Sequence, residues 1–532
     1  MVNTQLFQTP KGALLPDATA RNHAQAPAYA LSPRHQLAQL AATGCLNQTF
    51  YASAESQLDA ARALAQAVDA AFVAKTAVYA RQAGHMKDMP ALLAATLAVR
   101  DVALLSQVFG RVVDNGKMLR NFVQIVRSGS VGRKSLGSRP KKLVQHWLLS
   151  ASEKQLLNAS VGNTPSLADV VKMVHPKPTE AWRAAWFAWL IGKAVDEAAL
   201  PPITQAFERF KRACSSGGAE GVVCEVPDVP FQMLTALALS PAQWAQIARA
   251  GSWQMVRQNL NTFARHGVFE LEGMAEAVAA KLRDPKAVAQ ARVLPYQLLS
   301  AFTATGEGVP AVVRNALQDA MEAALANVPA LGSGEDGRVV VCPDVSGSMS
   351  SAVTGHRGSA TSSVRCIDVA ALVAAAVLRK NPAARVLPFE QEVVKLSLNA
   401  RDSVMTNAQA LAAIGGGGTN CSAPLARLNM ERAKVELVIL VSDNESWVDA
   451  TRRGATQTLR EWEVLKKRCP QARLVCIDIQ PHGTTQAAER HDIMNVGGFS
   501  DAVFAVMATF AEGKTGSEHW VGEIEKVSLA AQ

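Results

Sequence analysis

A chain of 532 residues exceeds what one hydrophobic core usually holds, so two or more domains are expected. Its composition, 49% hydrophobic and 5% aromatic, is that of a soluble globular protein, and no apolar run reaches the roughly 18–20 uncharged residues of a membrane span. The net charge of +9 is unevenly placed: residues 338–532 hold 21 Lys and Arg against 20 Asp and Glu, while residues 1–337 hold 33 against 25.

The opening stretch "MVNTQLFQTPKGALLPDATARNHAQAP" lacks the apolar core of a signal peptide, so residues 1–33 are expected to be a flexible polar lead-in and the location cytoplasmic. From about residue 34 to 328, apolar residues recur at helical spacing and β-branched runs are scarce. Residues 56–84 read as two helices, residues 89–110 as one, and residues 179–195, 240–251 and 252–267 continue the pattern, with breaks at Gly, Pro or Asn. Helix following helix without strands predicts stacked helical hairpins, although no strict repeat period is visible.

Within that part, residues 111–146 carry nine basic side chains against one acid, Asp114. Any single cation there could be a solvated helix face, but the run as a whole is what a polyanion-binding surface requires. A helix should end at "RSGSVG", a Gly- and Ser-rich loop should carry Arg133, Lys134 and Arg139, and a second helix should begin near Pro140. Arg120, Arg127, Lys141 and Lys142 extend the basic run, and "SLADVVKMVHPKP" adds Lys172, His175 and Lys177 at a helix end. These residues are candidate RNA contacts: the cations neutralise phosphates and His175 stacks or hydrogen-bonds.

The stretch "ALGSGEDG" (330–337) has the composition of a linker, which gives a helical module over 34–330, a linker over 331–337 and a second domain over 338–532. Beyond it, strands and helices alternate. The runs "RVVVCPD", "VELVILVSD" and "ARLVCIDIQ" are nearly continuous apolar strands, which predicts a doubly wound, mostly parallel sheet buried on both faces. The eight cysteines show no CxxC spacing and are expected to be reduced thiols.

Ligands of such sheets bind at the carboxyl ends of the strands. Three polar loops fall there, "DVSGSMS", "GGGGTN" and "SDNES", and they offer Asp344, Ser346, Ser348, Thr419 and Asp443. Oxygen donors without His or Cys suit a hard divalent cation, Mg²⁺ first among them. Catalysis is not expected: "VSGSM" is not a G-x-S-x-G elbow, His482 and His491 read as loop or surface residues, and a metal-dependent nuclease would need a further carboxylate cluster or base.

The D-x-S-x-S pattern followed by Thr419 and Asp443 resembles the metal-ion-dependent adhesion site of von Willebrand factor A domains. The stretches "RSGSVGRK…QHWL", "SLADVVKMVHPKP", "NHAQAPAYAL", "FARHGVF" and "ARVLPYQLLSAFTA" resemble the helical TROVE module of the Ro autoantigen family, whose order is helical module first and A domain second. The resemblance implies a multi-domain α plus α/β architecture: a HEAT-like repeat ring, monomeric and closed by a Rossmann-like von Willebrand factor A domain. It implies binding of small Y-like noncoding RNAs and of single-stranded 3′ ends of misfolded or structured RNAs. It also implies work with an exoribonuclease such as polynucleotide phosphorylase in RNA quality control, maturation or degradation. By motif position, Lys134, Arg139, Lys142, Lys172 and His175 would fall in the RNA-contacting region, with Arg127 and Arg133 close by. The alternative is a metal-dependent interaction scaffold whose A domain docks an acidic partner.

Overall fold

The computed structural model describes all residues except 1–14, 44–45, 47, 49–51, 216–224, 292, 294, 326–328, 333–337, 357–363, 449–453, 499–500, 514–518 and 531–532. The chain forms two compact units. One comprises Met1–Gln57, Leu294–Tyr296 and Leu325–Gly522, the other Leu58–Val293, Gln297–Ala324 and Glu523–Gln532. No helix among the described residues is long and apolar enough to cross a membrane.

Consecutive helices opening the chain are α1 (Pro33–Thr43), α2 (Ala54–Ala67), α3 (Ala70–Gln82), α4 (Asp88–Arg100), α5 (Val102–Val112), α6 (Gly116–Arg127), α7 (Ser138–Ser150), α8 (Glu153–Ser160) and α9 (Leu167–Val174). From α3 onward each packs on the helix two places later, α3 on α5, α4 on α6, α5 on α7, α6 on α8 and α7 on α9, as a two-layer helical stack does. Helices continue to Ala311–Ala324. The single helix expected over 89–110 is two, because Asp101 takes an extended conformation and its carboxylate caps the amides of Ala103 and Leu104. Ser152 with Gln155 and Ser166 with Asp169 form capping boxes that start α8 and α9.

The other unit is built on a five-stranded parallel sheet of β3 (Val339–Pro343), β4 (Arg385–Val386), β5 (Leu437–Ser442), β6 (Arg473–Asp478) and β8 (Ile493–Gly497), in the order β4-β3-β5-β6-β8. Val340, Cys342, Val438, Leu440, Leu474 and Cys476 join a core with Leu425, Leu428, Leu459, Trp462 and Leu465 of the helices Ala423–Met430 and Gln457–Arg468. The alternate residues Val339, Val341, Ile439 and Val475 are equally buried, and the apolar helix Cys366–Lys380 packs on β3 and β5. Both faces are therefore covered, which is why the strands read as unbroken apolar runs. Among the described residues no disulfide joins any of Cys214, Cys342, Cys366, Cys421, Cys469 and Cys476, and Cys45 and Cys224 lie outside the described residues.

The domain limits differ from those drawn on composition at both ends of the chain. Part of the expected flexible lead-in is ordered: β1 (Ala20–Arg21) pairs with β2 (Pro27–Ala30), which pairs with β7 (Thr484–Thr485) of the sheet-containing unit. Helix α1 follows into the same unit, where His35 Nδ1 lies 2.9 Å from Glu489 Oε2. Ala26, Ala28, Tyr29, Leu31, Leu37 and Ala38 are all buried there. Conversely, the last residues join the helical unit, where Lys75 pairs with Glu525 at 2.8 Å.

Candidate metal site and nucleic-acid interface

Strand β3 sits between β4 and β5, so the chain leaves β3 for one neighbour and returns on its other side. That is the topological switch point at which α/β sheets bind ligands. The register aligns Pro343 with Val441, so Asp344 and the pair Ser442–Asp443 emerge side by side at the carboxyl edge. Asp344 Oδ1 accepts from the Ser346 amide at 2.8 Å, and its Oδ2 accepts from the Ser442 hydroxyl at 2.6 Å. The "GGGGTN" loop arrives by a path only glycine tolerates, with positive φ at Gly415, Gly416 and Gly417. It is pinned by Gly416 N–H to Val345 O and Gly347 N–H to Gly417 O, both at 3.1 Å. Thr419 Oγ1 then lies 2.8 Å from Ser346 Oγ, Ser346 Oγ lies 3.3 Å from Ser348 Oγ, and Ser348 hydrogen-bonds Asp443. All five oxygen-bearing residues singled out in the sequence thus converge, and all are buried.

The electrostatics of this cluster call for a cation. Burial, then the Asp443 charge, push the Asp344 carboxyl above the ordinary range, and burial pushes Asp443 up as well. Burial and Asp443 raise Glu445 to about 8. No Lys or Arg pairs with Asp344 or Asp443 among the described residues, so a hard divalent ion fits a set of oxygen donors already gathered.

The basic residues divide into two groups. Lys134, Arg139, Lys142, Lys172, His175 and Lys177 are exposed, as is Arg127 at the end of α6, and Lys141 is half-buried. Gln145 Nε2 of α7 donates to Val174 O at 2.6 Å, which ties α7 to the end of α9. Asp169 is lowered chiefly by hydrogen bonds from Ser166, with Lys172 of α9 and Arg127 of α6 adding to it, so these helices share one neighbourhood. His175 closes α9 in the left-handed conformation at φ 50, with its ring exposed.

Arg120 and Arg133 do not belong to that surface. Arg120 is buried, and its guanidinium donates to Val161 O and Pro165 O in the loop before α9, which removes it as a phosphate contact. Arg133 folds back and donates to Ala98 O of α4 at 3.0 Å, anchoring the loop rather than reaching out of it. A charge count does not distinguish a cation that neutralises phosphate from one that ties carbonyls together.

Residues 338–511 match the family described as the Ro60 vWA domain. Along its length the chain is 25% identical to the RNA-binding protein RO60 of Deinococcus radiodurans, over 95% of this chain and 97% of that one. The chain is thus similar to a Ro protein along nearly its whole length. The crystal structure of the Deinococcus radiodurans RO (RSR) protein has the same fold, with a TM-score of 0.62 and 22% identity, covering 91% of this chain and all of that one. Neither relative is named as an enzyme.

Three features of this chain escape a motif reading. Ser442, inside an apolar strand, orients Asp344. Trp447 is 48% exposed although its amide donates to Thr419 O, so an indole stands beside the oxygen cluster. His482 is mostly enclosed beside His23 rather than being a plain loop residue, and burial drops it to about 4. Apolar patterning signals none of these, because each depends on contacts between segments distant in sequence.

Proposed function

We propose that this chain is a non-catalytic RNA-binding protein. The carrying observation is the group of exposed cations Arg127, Lys134, Arg139, Lys142, Lys172 and Lys177, none ion-paired among the described residues, with exposed His175 beside them. Unpaired surface cations displace condensed counterions from RNA at little desolvation cost, which makes them effective phosphate ligands. Gly129, Gly132 and Gly137, all at positive φ, let the loop backbone approach a strand closely. The relative named as an RNA-binding protein supports the same reading.

In its finer form, the chain binds small Y-like noncoding RNAs and single-stranded 3′ ends of misfolded or structured RNAs. It acts in the cytoplasm with an exoribonuclease such as polynucleotide phosphorylase in quality control, maturation or degradation. Asp344, Ser346, Ser348, Thr419 and Asp443 would hold Mg²⁺, whose contribution is to present a positive charge at the sheet edge. A second role has its own observation: exposed Trp447 next to that cluster suits docking of an acidic partner by the A domain. Crosslinking the chain to RNA in cells and sequencing what is attached tests the main reading. Enrichment of small structured RNAs and 3′ ends is expected, and recovery of RNAs merely in proportion to abundance would contradict it.

A further inference from the structure

Apart from the five-residue oxygen cluster, the described residues bring together one other set of metal-ligating side chains: His23, Glu445 and His482, whose donor atoms all lie within 4.8 Å of one another. We propose that they form a second metal site, for a borderline divalent ion of the zinc type, joining the N-terminal hairpin to the A domain.

The hairpin is positioned for this by its backbone. Pairing of β2 with β7, Tyr29 against Thr485 and Ala30 against Thr484, lays the turn before β2 over the loop after β5. Asn22 locks the turn at both ends, its Nδ2 donating to Ser446 O at 2.6 Å and its Oδ1 accepting from the Ala26 amide at 2.9 Å. The amide of His23 donates to Glu445 Oε2 at 2.8 Å, and Ala24 adds a second backbone hydrogen bond, so the carboxylate is fixed by the segment that supplies the first imidazole. Hydrogen bonds of this kind to a ligating side chain are what orient metal ligands. The rings of His23 and His482 meet edge-on, with centroids 4.8 Å apart and planes at 61°. Metal bonds of 2.0–2.1 Å place tetrahedral ligand atoms about 3.4 Å apart. The exposed His23 ring can close the remaining gap by side-chain rotation.

Charge argues in the same direction. Glu445 is 2% exposed and stands with buried Asp443 and Asp478. No Lys or Arg pairs with any of the three among the described residues, and Asp478 Oδ1 has no hydrogen-bond partner there. Buried carboxylates need a compensating cation. Two imidazoles and one carboxylate match the protein ligands of open zinc sites and differ from the oxygen-only cluster, so the two sites should select different ions.

The test uses the full chain, stripped with chelator and returned to saturating Mg²⁺. Zn²⁺ is then titrated calorimetrically, and Co²⁺ by its visible d–d absorption. The proposal predicts one Zn²⁺ per chain and a four-coordinate Co²⁺ spectrum. Because loss of outer-shell partners already weakens such sites about 10–100-fold, His23→Ala and His482→Ala should weaken Zn²⁺ binding on the order of 100-fold. His491→Ala, at an exposed imidazole outside the cluster, should leave it unchanged. His23 is exposed, so His23→Ala decides the matter even if the buried substitution fails to fold. No Zn²⁺ uptake by the unaltered chain, equal affinity in His23→Ala, or loss of the site in His491→Ala would each overturn the proposal.

Discussion

Asp344 is the residue on which the metal reading turns. It is wholly buried, accepts two hydrogen bonds and faces a second buried carboxylate. Keeping a charge there without a cation is unfavourable, so the metal-free protein carries a built-in penalty that the proposed Mg²⁺ would relieve. Asp344→Asn has nearly the same shape without the charge. In a thermal melt, Mg²⁺ should raise the unfolding temperature of the unaltered chain but not that of Asp344→Asn. The metal-free variant should melt no lower than the metal-free parent. An equal Mg²⁺ response in both would remove Asp344 from the site. The convergence of these five oxygen-bearing residues is legible in the sequence because each sits in a short loop directly attached to a strand end or a glycine run. Arg120 and Arg133 were misjudged because their partners, carbonyls of Val161, Pro165 and Ala98, lie tens of residues away and leave no mark on local composition.

Close packing of the helical layers holds the basic loop in place. Gly116 opens α6 directly against Ala159 of α8, and a Cβ at that glycine would overlap both the side chain and the backbone of Ala159. Gly116→Ala should therefore destabilise the helical unit by about 1–3 kcal/mol, since the obstructing atoms include backbone that cannot rotate away. Chemical denaturation followed by circular dichroism measures it, and an unchanged midpoint would show that α6 and α8 are looser than described. Helix positions were readable from spacing, but the break at Asp101 was not, because apolar periodicity runs straight through it and only the cap marks the end of α4. Likewise β1 and β2, two and four residues long, are too short to announce themselves; β2 exists because β7 offers an edge, and β1 pairs with β2 in turn.

The whole molecule consists of two compact units whose sequences do not follow the composition boundary. Residues 15–43 are part of the unit containing the parallel sheet, where Tyr29, Leu31 and Leu37 bury side chains that contribute about 1.5–3 kcal/mol each. A chain beginning at residue 44 should accordingly unfold at lower denaturant concentration in the transition that reports on Trp462 fluorescence. An unaltered midpoint would mean that the N-terminal hairpin is dispensable to that unit.

Charge separates the units more sharply than fold does. A balanced charge gives the sheet-containing part little pull on a polyanion, and the proposed RNA binding rests on the exposed cations around α6, α7 and α9. The central claim is tested most directly by titrating a small structured RNA with a single-stranded 3′ tail over a series of salt concentrations. The unaltered chain is compared with a variant carrying Lys134→Ala, Arg139→Ala and Lys142→Ala. With each lost phosphate contact on single-stranded RNA worth about 0.7 in the slope of log affinity against log salt, the variant should bind more weakly with a slope shallower by about 2. Equal affinity and equal slope for the two proteins would contradict the account.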